Sequence, residues 1–205
     1  VLSFHPAKLI TTGEGGAVLT DRDDLAARLR RVRHHGLRYP EAATPWRNEI
    51  DEAGHNFRLT DFQAALGSSQ LAKLPRFRAA RERLAQRYRA RLAAMEWLEL
   101  PALPPERGHG WHLFVVLLRP ERLTADQDTI LRALRAENIG VMLHYPLVHL
   151  HPFYRARYGC APGLCPQAEA LERRLVTLPL FPRMTDADQD DVVAALAKVL
   201  GHFSQ

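Results

Sequence analysis

Lysine is scarce in this 205-residue chain, although cationic residues are not. Of the 28 lysine and arginine residues, only Lys8, Lys73 and Lys198 are lysine. Arginine therefore takes almost every position at which a cation merely solubilises the surface. Lys73 and Lys198 fall late in helical patterns, where a cation near the helix C-terminus is common. Lys8 has no such setting, and it is the lysine with a candidate chemical role.

Cysteine and long apolar runs are also scarce. Cys160 and Cys165 lie in a proline- and glycine-rich loop, and two thiols do not make a disulfide framework, so we expect free thiols. No apolar run is long enough to cross a bilayer, so we expect a soluble, cytoplasmic protein without a membrane partner. The apolar content of 46% suits one or two small cores.

The net charge of +5 is compatible with an anionic substrate, a nucleic acid or an arginine-rich surface. Arginine and histidine crowd residues 28–35, in the helix predicted before Gly36. No aromatic residues alternate with them to stack on bases, which favours the solvated face of an amphipathic helix. A basic nucleic-acid-binding module stays open as an alternative function.

Lys8 stands in the segment SFHPAKLITTGEGG, residues 3–16, with no charged residue between it and Glu14. An apolar, partly enclosed setting favours a neutral amine, the nucleophile that forms a Schiff base with an aldehyde or ketone. The hydroxyl of Ser3 suits a phosphate oxygen. The Thr11–Thr12 pair can bond the backbone around a turn, and the glycines allow positive φ or a close ligand. The alternative is a lysine in a surface loop between two strands.

Two further stretches combine polar side chains with a defined local structure. Thr60 and Gln63 have capping-box spacing, so Asn56 and the residues around it lie on the loop that enters a helix N-terminus, a place that favours anions. Residues 144–154 contain three histidines, but prolines break their spacing and no cysteine or carboxylate lies near. We therefore expect no metal site there.

The remaining pattern alternates strands with helices and predicts an α/β or α+β layer. Residues 37–53 read as a loop, and Pro75 is predicted to open a separate helix that ends near residue 94. The other predicted strands are residues 17–20, 111–118, 141–143 and 175–178, and the other predicted helices cover residues 124–137, a short stretch from 166, and 185–200.

The segment around Lys8 closely resembles the cofactor-lysine motif of the DegT-type sugar aminotransferases, pyridoxal-phosphate enzymes of the aspartate-aminotransferase fold (fold type I). Residues 54–67 resemble the second family signature, whose asparagine, here Asn56, reaches the cofactor phosphate of the neighbouring subunit; this implies a homodimer with shared active sites. Ser3 is then a cofactor-binding residue, and His144, Tyr145 and Arg58 are substrate-pocket candidates. His149 also resembles the family pattern, with a structural role as an open alternative.

The resemblance implies that Lys8 is the catalytic base and acid in the transfer of an amino group from L-glutamate to a 4-keto-6-deoxy UDP-sugar. Family dehydratases carry a histidine in place of this lysine, which argues against that branch. Residues 151–163 and 178–186 are similar to the branch that makes UDP-4-amino-4,6-dideoxy-N-acetyl-β-L-altrosamine in pseudaminic acid synthesis.

Active-site lysines of this family lie near the middle of longer chains. We therefore expect a C-terminal half: the C-terminal part of the large domain (1–74), a connecting helix and linker (75–100) and the small domain (101–205). In family members the half that precedes this region carries the groups that contact the pyridine nitrogen and ring, so we expect the 205 residues alone to be inactive. A non-catalytic relative of the same fold is the further alternative.

Overall fold

The computed structural model describes residues 1–38, 46–103 and 108–205 of the chain. These residues form two compact units, Val1–Pro75 and Arg76–Gln205. The boundary falls inside one long helix, α2 (Asp61–Leu92). The division of the chain at residues 74 and 100 stays a prediction.

The first unit begins with a hairpin followed by a helix. β1 (Leu2–Ser3) pairs antiparallel with β2 (Gly16–Ala17), so the strand predicted at residues 17–20 is shorter and starts earlier. α1 (Asp23–Val32) has aspartates in its first turn and arginines in its last, the charge order that the helix dipole favours. The helix predicted before Gly36 is confirmed.

The segment predicted as a loop, residues 37–53, contains short strands. β3 (Leu37–Arg38) pairs antiparallel with β4 (Glu49–Ile50), while residues 39–45 lie outside the described part of the chain. The loop prediction was therefore wrong at these positions. The Arg38 side chain forms ion pairs with both Glu49 and Asp51, and this cross-strand pairing stabilises a strand too short to give a period-two pattern.

α2 continues through Pro75, so the prediction of a separate helix beginning there was wrong. Proline lacks the N–H that would bond the carbonyl of residue 71 and usually kinks or ends a helix. The half-buried Leu74 and Phe77 stand three residues apart on either side of Pro75, so one apolar face runs through it. No helix in the described ranges is long and apolar enough to cross a membrane.

The second unit holds a three-stranded antiparallel sheet in the order β5–β6–β7. β6 (Phe114–Leu118) lies in the centre, between β5 (Leu98–Glu99) and β7 (Leu175–Leu178). Buried and half-buried residues alternate along β6, as expected for a strand with one face on the core. The predictions of β6 and β7 are confirmed, with β6 shorter than predicted.

Two helices of the second unit start at side-chain caps. α3 (Gln127–Ala136) begins where the Asp126 carboxylate accepts the Thr129 N–H at 2.9 Å. α6 (Asp186–His202) begins at a capping box formed by Thr185 and Asp188. Both helices were predicted, and the caps explain where they start.

Shorter elements complete this unit. α4 (Pro152–Tyr158) and α5 (Pro166–Glu172) each begin with proline, which suits the first helical turn. The sequence predicts α5 but not α4, because a seven-residue helix gives too few turns for a periodic pattern. The strand predicted at residues 141–143 was wrong, since only Met142 pairs, through one bridge to Thr177.

Buried apolar side chains of the described residues all belong to the second unit. Most come from α2, the sheet, α3 and α6 and the others from segments between these elements, and the bulkiest fully buried ones are Tyr88, Trp111 and Phe114. In the first unit large apolar side chains stay exposed, among them Leu19, Ile50, Phe57 and Phe62. The second unit therefore has a core of its own, and the first unit, within the described residues, has none.

Candidate active site

Lys8 lies in a loop, residues 4–15, that closes on the backbone of Phe4. The Phe4 N–H donates to the Gly15 carbonyl at 2.9 Å, and the Phe4 carbonyl accepts the Thr12 N–H at 3.0 Å and the Thr11 hydroxyl at 2.9 Å. The prediction that the threonines bond the backbone around a turn is confirmed. Lys8 is half-buried at the bend of this loop.

Ser3 and Lys8 are joined through the backbone of His5. The Ser3 hydroxyl oxygen accepts the His5 N–H at 3.4 Å, and the His5 carbonyl accepts the Lys8 N–H at 2.9 Å. Because the Ser3 oxygen is the acceptor in this contact, its own O–H is able to donate to a ligand. The structure therefore brings these two predicted residues into one strand-to-turn segment.

Glycine is required where the loop returns to the sheet. Gly13 has φ 81° and Gly15 φ 138°, which side-chain-bearing residues rarely adopt. A Cβ on Gly15 would lie 2.8 Å from the Leu59 side chain, and one on Gly16 would lie 2.6 Å from the Leu2 carbonyl oxygen. The predicted turn with positive φ is confirmed at Gly13 and Gly15.

Gln63 connects the lysine loop to the start of α2. The Gln63 side-chain oxygen accepts the backbone N–H of Thr60 at 3.0 Å, and the backbone N–H of Gln63 donates to the Thr60 hydroxyl at 3.3 Å. This pair of bonds confirms the predicted capping box. The side-chain amide nitrogen of Gln63 also donates to the Glu14 carbonyl at 3.1 Å. Sequence reasoning missed this second role, because no local pattern relates residues 49 positions apart.

Asn56 and Arg58 form a side-chain pair on the segment before α2. The Arg58 Nε–H donates to the Asn56 Oδ1 at 3.1 Å, and both side chains are exposed. Desolvation, and then the charge of Arg58, lowers the pKa of the neighbouring His34. A cationic guanidinium and an amide beside a helix N-terminus suit an anionic group.

His144 and Tyr145 belong to the second unit. The His144 Nδ1 hydrogen-bonds the hydroxyl of Thr177, a buried residue of β7, at 3.0 Å. The Tyr145 ring stands edge-on to the His144 ring, with 4.7 Å between centroids, and Tyr145 is 59% exposed. The sheet thus fixes the histidine and leaves the tyrosine accessible.

His149 is held by Glu169. The His149 Nε2 lies 2.9 Å from the Glu169 carboxylate, and both side chains are largely buried. Backbone N–H groups of Gly163 and Cys165, and then His149, lower the pKa of Glu169. Of the two roles left open for His149, these contacts support the structural role. Sequence reasoning missed Glu169, which lies 20 residues away.

The described residues contain no group of three or more histidine, cysteine or acidic side chains that could hold a metal ion. Cys160 and Cys165 are free thiols. On α1, Arg28 and Arg31 both pair with Glu52, at 3.1 and 3.5 Å, as expected for a solvated, ion-paired helix face.

Among the predicted site residues, Ser3 and Lys8 share the hairpin segment, and Asn56 and Arg58 contact each other; all four belong to the first unit. A half-buried lysine in a glycine-closed loop, in a mixed α/β chain, makes Lys8 a candidate for a lysine that forms a Schiff base. Residues 1–197 match the DegT/DnrJ/EryC1/StrS aminotransferase family, and the chain belongs to that family. The resemblance and the predicted α/β fold of type I are thereby confirmed.

The chain is similar to an uncharacterized protein of Methanocaldococcus jannaschii, with 38% identity over 204 residues that cover 97% of this chain and 53% of that protein. Its structure is similar to Helicobacter pylori PseC, an aminotransferase of pseudaminic acid biosynthesis (28% identity, TM-score 0.88, 98% and 52% covered). It is also similar to Streptomyces venezuelae DesV (32% identity, TM-score 0.82, 96% and 50% covered). The chain thus spans about half the length of these relatives.

Proposed function

We propose that this chain supplies the lysine-bearing part of a pyridoxal-phosphate-dependent sugar aminotransferase. The observation that carries the proposal is Lys8. It is half-buried at the bend of a loop whose backbone is closed on Phe4 and returned by glycines. That loop lies within the stretch that matches the aminotransferase family.

The donor set of the first unit fits pyridoxal phosphate. The Lys8 amine suits the aldehyde carbon, while the Ser3 hydroxyl and the Asn56 amide supply hydrogen-bond donors for phosphate oxygens. When bound, the cofactor supplies a conjugated ring that takes up the electron pair left after a proton leaves the reacting carbon. The assignment of Ser3, Lys8 and Asn56 to the cofactor is part of the proposal.

We assign each of these residues a separate role in the amino transfer. The Nζ of Lys8, once unprotonated, accepts a proton from the reacting carbon of the amino donor and returns it at the next position, as general base and then acid. Ser3, together with Asn56 of the partner subunit, would hold the phosphate, so that the reacting atoms stay near Lys8. We propose His144 and Tyr145 as substrate-pocket residues: Tyr145 presents an accessible phenol, and the His144 ring is held by Thr177.

We propose L-glutamate as the amino donor and a 4-keto-6-deoxy UDP-sugar as the acceptor, in surface-glycan biosynthesis. The similarity to PseC over 98% of this chain supports this class of substrate. The proposal includes a cytoplasmic homodimer in which each Asn56 serves the neighbouring cofactor. We expect the 205 residues alone to be inactive.

The proposal is tested with the full product of the gene, ¹⁵N-labelled L-glutamate and a UDP-linked 4-keto-6-deoxy sugar. Mass spectrometry should find ¹⁵N in the sugar with the wild-type protein and with Lys73→Arg, the matched control in α2. Lys8→Arg should lower the rate by about a thousandfold or more, because the base and covalent anchor are lost. No transfer by the wild-type protein would leave a fold relative without this activity.

A further inference from the structure

The backbone around Asn56 is held by the end of α1. Asn56 forms an isolated antiparallel bridge with His34. On one side the His35 N–H donates to the His55 carbonyl at 2.9 Å, and on the other the Phe57 N–H donates to the Arg33 carbonyl at 2.9 Å. The main chain at Asn56 is therefore fixed, and the rotation of its side chain is the freedom that remains.

Arg58 restricts that rotation. It stands two residues after Asn56, just beyond the bridged position, and the two side chains meet on the same side of the chain. Its Nε–H donates to the Asn56 Oδ1 at 3.1 Å. A guanidinium has only donors, so the atom facing it must be the amide oxygen, and the Asn56 NH₂ group is directed away from Arg58.

We infer that Arg58 is a positioning residue that locks the Asn56 amide with its two N–H donors toward an anion, the phosphate group of pyridoxal phosphate. Phosphate oxygens only accept hydrogen bonds, so an amide flipped to present its oxygen would repel them. The inference rests on the proposed function, and it assigns Arg58 a role through Asn56 instead of direct contact with a sugar substrate.

Two substitutions separate positioning from charge. Arg58→Gln keeps an N–H donor at the same number of bonds from the backbone as the arginine Nε but removes the charge. Arg58→Lys keeps the charge but places its nitrogen one bond further out. If Arg58 acts by orienting Asn56, the glutamine variant retains phosphate binding better than the lysine variant. If Arg58 binds the phosphate directly as a cation, the order is reversed.

The measurement is the affinity of the full gene product for pyridoxal phosphate and for pyridoxal, which lacks the phosphate, followed by the absorbance change on binding. Asn56→Ala should weaken pyridoxal phosphate binding about tenfold or more and leave pyridoxal binding unchanged. Arg58→Ala should weaken it about three- to tenfold, with no further loss when both substitutions are combined. Arg58→Gln should stay within about twofold of wild type. Arg30→Ala, an exposed arginine of α1, is the control and should change neither affinity.

The inference would be overturned if the losses of pyridoxal phosphate affinity caused by Arg58→Ala and Asn56→Ala were additive in the double variant. It would also be overturned if the Arg58→Lys protein bound pyridoxal phosphate more tightly than the Arg58→Gln protein. An equal loss of pyridoxal and pyridoxal phosphate binding in Arg58→Ala would overturn it as well. If the wild-type protein bound neither compound, the proposed function itself would fail, which is a distinct result from binding that is indifferent to Arg58.

Discussion

Arg81 is a buried cation that holds the second unit together, and its replacement should be costly. It is 6% exposed, and its Nη1 donates to the carbonyls of Trp111, His112 and Leu180 at 2.9, 3.3 and 3.0 Å. No salt bridge to Arg81 is found among the described residues, and burial lowers its pKa. One side chain thus links α2 to two segments far away along the chain. Arg81→Met keeps a long, unbranched side chain and removes the donors.

The size of the effect follows from the three carbonyls. A buried acceptor that loses its donor costs about 1–3 kcal/mol, and here one of the bonds is buried and two are partly buried. Removal of a desolvated charge offsets part of the loss, so we expect a net destabilisation of about 2–4 kcal/mol.

Urea unfolding of the chain, followed by far-ultraviolet circular dichroism, measures this change through the midpoint at an unchanged slope. Arg78→Met is the matched control, because Arg78 is exposed on the same helix, and it should change the free energy of unfolding by less than about 0.5 kcal/mol. A loss below about 0.5 kcal/mol for Arg81→Met would refute the reasoning, since the carbonyls would then be satisfied without the guanidinium.

Three further predictions concern the second unit. The fragment 76–205 should unfold cooperatively by calorimetry, because it contains all the buried apolar side chains of the described residues; a gradual melt would contradict this. Folding lowers the pKa of Glu169, so the stability that its carboxylate contributes should be complete above about pH 5 and decline as the pH falls below the ordinary glutamate range. Glu169→Gln should lower Tm at pH 7 and flatten this decline of stability with pH. An unchanged dependence of Tm on pH would contradict this prediction. Arg87→Ala removes the 2.8 Å ion pair with Asp190 and should cost about 0.2–1 kcal/mol, less at 1 M salt; a salt-independent loss would mean that packing, not charge, is responsible.

Local patterns in the sequence predicted the parts of the fold that local chemistry determines. The capping box of Thr60 and Gln63 and the glycine turn after Lys8 appear as expected, because each depends on residues a few positions apart. The apolar runs likewise predicted β6 and β7.

Features that depend on distant residues were not predictable. Pro75 continues a helix because the apolar face persists on both sides of it, a context that overrides the residue's own preference. The hydrogen bonds from Gln63 to Glu14 and between Glu169 and His149 join residues so far apart in sequence that no helix or strand pattern relates them. The Arg58–Asn56 bond was not predictable either, because the sequence indicated a loop there and a loop does not fix which side chains meet.

The most direct test of the account is borohydride reduction of the protein with added pyridoxal phosphate, followed by intact and peptide mass spectrometry. This chain offers internal controls, because its other lysines are Lys73 and Lys198, and Lys198 is ion-paired with Glu137 at 2.8 Å. The account predicts one reduced adduct, located on Lys8 and absent from Lys8→Arg. No adduct, or equal labelling of the three lysines, would contradict the claim that Lys8 holds the cofactor.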